Sequence, residues 1–289
     1  MRKNIIMIVN PISGDLDKSE LTDAAFSFAE EENLNLVIYN TSGVNDIINI
    51  QALYLSYKPE RIIVAGGDGT IKMVSEALQK EDVILGILPA GSANGLAVDL
   101  DLMLTLEENL QIAFQNDFME IDVITINDKI SLHLSDLGLN AELIKNYENA
   151  TIRGKWGYAL QAVNTLIDFE GPFTATITAN DETINCVARM IVIANSKKYG
   201  TGVVINPEGE MNDGKFELVI LKNLDLYVFG QIVTGNMPIE SNDVEIISTN
   251  QAFIKTNFPV SFQMDGEYCG TETEYNVEIL HKQMKVAIP

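Results

Sequence analysis

Residues 4–9 form an unbroken apolar run that stops at Asn10-Pro11, the pattern of a buried strand. Residues 21–32 follow with helical spacing and put Ala25, Phe28 and Ala29 on one face. A second strand is expected at 36–39, a helix at 46–57 and a third strand at 61–65. Ile71, Val74 and Leu78 then mark another helix, and 83–88 a fourth strand. Strands alternating with helices in this way predict a parallel sheet covered by helices on both faces.

Near residue 120 the rhythm changes. Residues 121–127 and 131–134 read as strands joined by a turn at Asn127-Asp128. One helical stretch, 141–169, is broken by Gly154 and Gly157. Strand patterns then crowd together at 173–178, 184–194, 215–221, 244–248, 252–256, 260–264 and 275–280. Such density predicts an antiparallel sandwich or barrel-like domain. The chain therefore reads as an α/β domain over 1–122 and a β-rich domain over 123–289.

Composition narrows the partners more than the fold. The 289 residues carry 41 acidic and 19 basic side chains, a formal charge of −22. A field of that sign repels phosphate backbones, so nucleic acid is an unsuitable partner. It gives no broad attraction to an anionic membrane either. No apolar run is long enough for a spanning helix, and the apolar start is too short for a signal peptide. Cys186 and Cys269 have no metal spacing and read as reduced thiols of a cytoplasmic protein. His133 and His281 fall in strand-like segments and read as ordinary sheet residues.

The candidate chemistry lies just after the N-terminal strands, where open parallel sheets bind ligands. Asn10-Pro11-Ile12-Ser13-Gly14 follows the first strand, and Thr41-Ser42-Gly43 the second. Gly66-Gly67-Asp68-Gly69-Thr70 follows the third and leads directly into a helix. Pro89-Ala90-Gly91-Ser92-Ala93-Asn94-Gly95 follows the fourth. Glycines let backbone N–H groups converge on an oxyanion, and a helix start adds about half a positive charge. Each turn alone could be an ordinary βα junction; four on one rim favour phosphate. No GxxxxGK[ST] is present, and the 66–72 turn is not GxGxxG.

The order and spacing of these motifs resemble the catalytic domain of diacylglycerol and sphingosine kinases, especially the soluble bacterial lipid kinases. The likeness runs nearly end to end. It takes in Gly154-Lys155-Trp156-Gly157-Tyr158, Asn212-Asp213-Gly214 and Met264-Asp265-Gly266-Glu267. The resemblance implies a nucleotide-binding α/β domain, a β-rich domain and an active site between them. It implies an ATP site lined by Asn10, Pro11, Ile12, Ser13, Gly14, Thr41, Gly66, Gly67, Asp68, Gly69, Thr70, Ile71, Lys72 and Ser92. Glu267 would take the proton of a lipid hydroxyl, with Asp265 beside it. Asp213, with backbone oxygens near Glu210 and Lys215, would hold a structural Mg2+. Asp68 and Asp122 would join the network around the catalytic Mg2+.

The residues themselves allow further readings. Asp265 and Glu267 lie two apart, so an extended chain would put both carboxylates on one side and raise one pKa, unless Gly266 bends it. The alternative is a hairpin turn with two solvated acids. Departures from the family pattern are Asp15 in place of a lysine, Lys72-Met73 in place of Asn-Glu, and Gly95 in place of an aspartate. Lys72 could replace the missing phosphate-binding charge, or be a solvated first-turn lysine. A kinase of a soluble acceptor such as NAD, or a silent nucleotide-binding regulator, remains open, as does pairing into a homodimer. A lipid substrate requires peripheral contact with a membrane surface, for which Arg153, Lys155, Trp156 and Tyr158 are the expected patch.

Overall fold

The computed structural model describes residues 2–15, 17–79, 81–92, 94–139, 141, 171–198, 203–223 and 242–289. The helix expected over 141–169 lies outside them except for Ala141. So do the whole 154–158 motif and all four members of the expected membrane patch. The described residues divide into two compact units. One comprises residues up to Ile121 together with Lys282–Pro289, and the other the described residues from Asp122 to His281.

In the first unit the expected alternation is present: β1 (Asn4–Val9), α1 (Ser19–Glu31), β2 (Asn35–Asn40), α2 (Asp46–Tyr57), β3 (Arg61–Gly66), α3 (Asp68–Ala77) and β4 (Ile84–Pro89). All strand pairs are parallel, in the order β4-β3-β1-β2. Ile5, Met7 and Val9 of β1 pack with Ala25 and Ala29 of α1, the face read from the helical spacing. Two further helices, α4 (Gly95–Asp99) and α5 (Leu106–Gln115), were not expected. Yet α5 carries a legible start, a capping box in which Thr105 and Glu108 satisfy each other's backbone N–H groups. Phe114 of α5 meets Phe28 of α1 with ring centroids 5.1 Å apart.

The second unit is antiparallel. Its strands are β5 (Phe118–Ile126, starting in the first unit), β6 (Lys129–Ser131), β7 (Leu134–Gly138), β8 (Phe173–Ala179), β9 (Glu182–Ala188), β10 (Met190–Ala194), β11 (Phe216–Leu221), β12 (Val244–Thr249), β13 (Gln251–Met264) and the long β14 (Glu267–Ala287). The two segments expected at 252–256 and 260–264 are one strand with an irregularity between Lys255 and Val260. Its first part pairs with β8 and its last three residues with β7. Asn127 and Asp128 both have positive φ, as a two-residue hairpin turn requires.

Residues 282–289, expected in the second domain, belong to the first unit. There Lys285 and Val286 pair in parallel with Ile84 and Leu85 of β4. A tail strand of this kind covers an edge that would otherwise present unpaired backbone groups. Met284 reaches Ser75 of α3, whose hydroxyl donates to its sulfur at 2.9 Å.

Candidate active site

Three of the four turns are tied into one structure at the ends of β1, β3 and β4. The Asn10 amide nitrogen donates to Thr70 Oγ1 at 3.0 Å, while Asn10 Oδ1 accepts the Ile12 N–H. The Ser13 hydroxyl donates to the Ala90 carbonyl at 2.9 Å, and Ala90 N–H donates to the Gly66 carbonyl at 3.0 Å. Gly14 lies against the same Ala90 carbonyl with φ +64; a Cβ there would stand 2.8 Å from that oxygen. Gly66 has no such room either, because a Cβ would come within 2.5 Å of Thr70 Oγ1. Glycine is required at both positions by close approach, which is what brings the turns together.

α3 begins in this knot with no side-chain cap. Its Thr70 and Ile71 N–H groups both turn back to the Gly67 carbonyl. The N–H groups of Gly67 and Gly69 find no acceptor among the described residues. A helix start with open amides, small neighbours and a positive dipole end suits an anionic oxygen. Ile12 presents its side chain outward at 83 % exposure, while Ile71 is buried in the packing. Pro11 and Ser92 are exposed on the same turns. Lys72 is only 9 % exposed, so it is not the solvated first-turn lysine of the alternative reading.

Several other amides of these turns are already used. Both oxygens of Asp68 accept backbone N–H groups, from Gly95 at 2.8 Å and from Leu96 at 3.0 Å, and so start α4. Gly91 N–H is held by Asn94 Oδ1 at 2.8 Å. In the loop after β2, Thr41 N–H extends the ladder to the Val9 carbonyl. Ser42 and Gly43 do not turn their amides to a ligand. Both donate to the buried Asp46 carboxylate, which also takes the Tyr39 hydroxyl at 2.6 Å. Asp46 thus fills the anion position of this turn with the protein's own carboxylate, so the Ser42 and Gly43 amides do not join the phosphate cradle.

Burial pushes the Asp46 carboxyl up, yet the Tyr39 hydroxyl and the Ser42 and Gly43 amides outweigh it and hold it below its ordinary value. Its stabilising effect is therefore complete above the ordinary carboxylate value and lost as pH falls through the lower folded value. Asp46→Ala is expected to cost about 1–3 kcal/mol at pH 7 in urea unfolding and to remove that acid-limb loss. A variant as stable as the parent at pH 7 would show that the loop does not depend on this carboxylate.

Sequence reading missed Lys18. Its ammonium donates to the Ser13 carbonyl at 2.6 Å and is buried beside the first turn. The family pattern places a lysine directly after the turn, at position 15, whereas this chain carries one three residues later.

In the second unit the Asp265-Gly266 pair is a turn with φ of 51° and 86°, joining β13 to β14. Gly266 bends the chain, so the two acids do not share a site. Asp265 is 7 % exposed, and its carboxylate accepts the Ser131 hydroxyl and the Leu132 and His133 N–H groups at 3.0–3.1 Å. Glu267 is exposed. The expected pair of carboxylates is absent for that geometric reason, and so are the two solvated acids of the alternative. One acid is an interior anchor and the other faces solvent.

Asp122 is fully buried. Its Oδ2 accepts the Gly214 N–H at 2.7 Å and its Oδ1 faces His281 Nδ1 at 2.8 Å, which makes His281 more than an ordinary sheet residue. Asp213 Oδ1 takes the Lys215 N–H at 2.9 Å, and Glu210 is exposed. A cleft of about 480 Å³ opens beside Asp213, Gly214, Asn250, Gln251, Glu278 and His281; among the described residues Ile279 is its only large apolar lining residue. Among the described residues no group of three or more His, Cys, Asp or Glu side chains is gathered for a metal ion. None of Asp68, Asp122 and Asp213 lies in such a group. Magnesium held mainly by nucleotide phosphates and water needs only one or two carboxylates from the protein.

With this geometry, comparison with known proteins gives a consistent picture. The family described as "Diacylglycerol kinase catalytic domain" matches residues 4–126, and "YegS C-terminal NAD kinase beta sandwich-like domain" matches residues 136–288. The Shewanella frigidimarina protein named "Probable lipid kinase YegS-like" is 23% identical over 79% of this chain and 76% of its own. "Probable lipid kinase YegS" of Salmonella arizonae is 27% identical over 80% of this chain and 78% of its own. A crystal structure titled as a diacylglycerol kinase of Bacillus anthracis superposes with a TM-score of 0.78, covering 99% of this chain and 97% of that one at 18% identity. At that identity it speaks for the fold, a parallel α/β domain followed by a β-sandwich-like domain. Two family matches that together run from residue 4 to residue 288 place the chain in the diacylglycerol kinase catalytic-domain family, in the branch that carries the YegS-type C-terminal domain.

Proposed function

We propose that the chain is a lipid kinase that transfers the γ-phosphate of ATP to the hydroxyl of a lipid such as a diacylglycerol or sphingoid base. The observation that carries this reading is the uncapped start of α3, enclosed by the Asn10–Gly14 and Ala90–Asn94 turns. Gly67 and Gly69 hold the phosphates through backbone N–H groups, with Lys72 and Lys18 supplying positive charge nearby. Mg2+ bound with the nucleotide would supply charge neutralisation at the phosphates.

Glu267 accepts the proton of the lipid hydroxyl as its oxygen bonds to the γ-phosphorus. The bond from that phosphorus to the β,γ-bridging oxygen breaks, and ADP leaves with the electron pair. Asp265 holds the turn. No helix among the described residues is long and apolar enough to cross a membrane. With −22 overall, contact with a bilayer rests on local side chains, and Arg153, Lys155, Trp156 and Tyr158 are the candidates.

The test is phosphate transfer from labelled ATP to diacylglycerol, to a sphingoid base and to NAD, with Mg2+ present. Label in a lipid product supports the reading and names the acceptor. Label in NAD alone sinks it, and nucleotide binding without turnover on any acceptor identifies a silent regulator.

A further inference from the structure

We propose that Gln263 and Asp136 are positioning residues that fix the turn carrying Glu267. The inference deepens the assignment of Glu267 as proton acceptor and rests on it. Gln263 of β13 and Asp136 of β7 are partners across an antiparallel pair, and they are 1 % and 0 % exposed. Burying two polar side chains opposite one another is unfavourable unless their hydrogen bonds are made. Here Gln263 Nε2 donates to Asp136 Oδ2 at 2.5 Å, and Gln263 Oε1 accepts the Gly266 N–H at 2.7 Å. A carboxylate on one side and an N–H on the other allow the amide only one orientation.

A hairpin needs none of this. Asp-Gly is by itself a favoured two-residue turn, and its amide can face water. In this chain the turn is held from two directions. Gln263 grips the Gly266 amide, and the Asp265 carboxylate is gripped by Ser131, Leu132 and His133, with Ser135 donating to Ser131 at 2.8 Å. The register of the β13–β14 pair also shifts here, since Phe262 faces Gly270 and Gln263 faces Tyr268, which leaves Cys269 of β14 as an extra residue two positions beyond Glu267. Glu267 is the next residue after Gly266, so the direction of its side chain is set by a buried network whose other members lie about 130 positions earlier. Holding a catalytic group this closely matters, because a displacement of about 1 Å costs roughly 10²-fold in rate.

The test compares Gln263→Met, which keeps the volume and loses both hydrogen bonds, with Asp136→Asn, which keeps an acceptor facing Gln263. Hydrogen exchange at the Gly266 amide and steady-state lipid phosphorylation are read on both. Gln263→Met is expected to exchange Gly266 at least about tenfold faster, with strand amides such as Ile177 unchanged. Its kcat is expected to fall roughly 10–10²-fold at unaltered KM for ATP, with Asp136→Asn near the parent. Unchanged Gly266 exchange, or a loss confined to KM, overturns the proposal. Should Gln263→Met not fold, Gln263→Asn, a methylene too short to reach both partners, replaces it. A parent chain that phosphorylates no lipid removes the role of Glu267, and the exchange rate then decides alone whether Gln263 holds the turn.

Discussion

Glu267→Gln is expected to lower lipid phosphorylation by about 10²–10⁴-fold, the usual worth of a general base, while ATP affinity stays as in the parent. The side chain is exposed and makes no hydrogen bond that the fold relies on, so unfolding free energy should move by less than about 0.5 kcal/mol. That separation makes the variant informative. The same exchange at Asp265 would confuse the two effects, because an amide there would turn a donor toward the Leu132 or His133 N–H. Steady-state kinetics with each acceptor, beside nucleotide titration, give the comparison. Undiminished turnover in Glu267→Gln would take the residue out of proton transfer.

Gly14→Ala is expected to weaken ATP binding by roughly tenfold or more and to destabilise the first unit by about 1–3 kcal/mol. Two effects combine. The backbone sits at φ +64, where an L side chain is strained, and the new methyl would stand 2.8 Å from the Ala90 carbonyl. A backbone oxygen cannot rotate away, so the first turn and the Ala90–Asn94 turn must separate. The Ser13–Ala90 hydrogen bond is the first to go. Gly43→Ala is the control for backbone strain alone, since Gly43 has φ +79 and open space around it. Calorimetric titration with ATP and thermal unfolding should show the larger loss in Gly14→Ala. Equal losses in the two variants would mean that contact with Ala90 is irrelevant.

The parallel half of the fold was legible because its signals are local. Each apolar run before a glycine-rich turn became a strand, and the Ala25–Phe28–Ala29 face of α1 packs as its spacing indicated. α5 is also spelled locally, by Thr105 and Glu108 at its start. The turns were legible as candidate phosphate loops, but which amides remain available was not. Asp46 is three residues beyond Gly43, and nothing in its spelling says that it folds back to occupy that loop. Lys18 is not legible for a similar reason, since its role depends on where the ammonium ends, not on the residue that follows the turn.

The sequence by itself determined the class of fold, the four turns at the ends of the parallel strands and the lipid-kinase resemblance, because those depend on residue type and short spacing. Tertiary structure alone decided which carboxylates serve the architecture. Asp46 fills a turn, Asp68 starts α4, Asp122 pairs with His281 and Asp265 anchors a hairpin through residues more than a hundred positions away. The physical reason is that a carboxylate's job is set by the N–H groups and charges that surround it once the chain is folded. Those neighbours come from strands whose register no local pattern records. Glu267, exposed like Glu210 and Asp213, lies at the end of a turn that the buried interior holds in place.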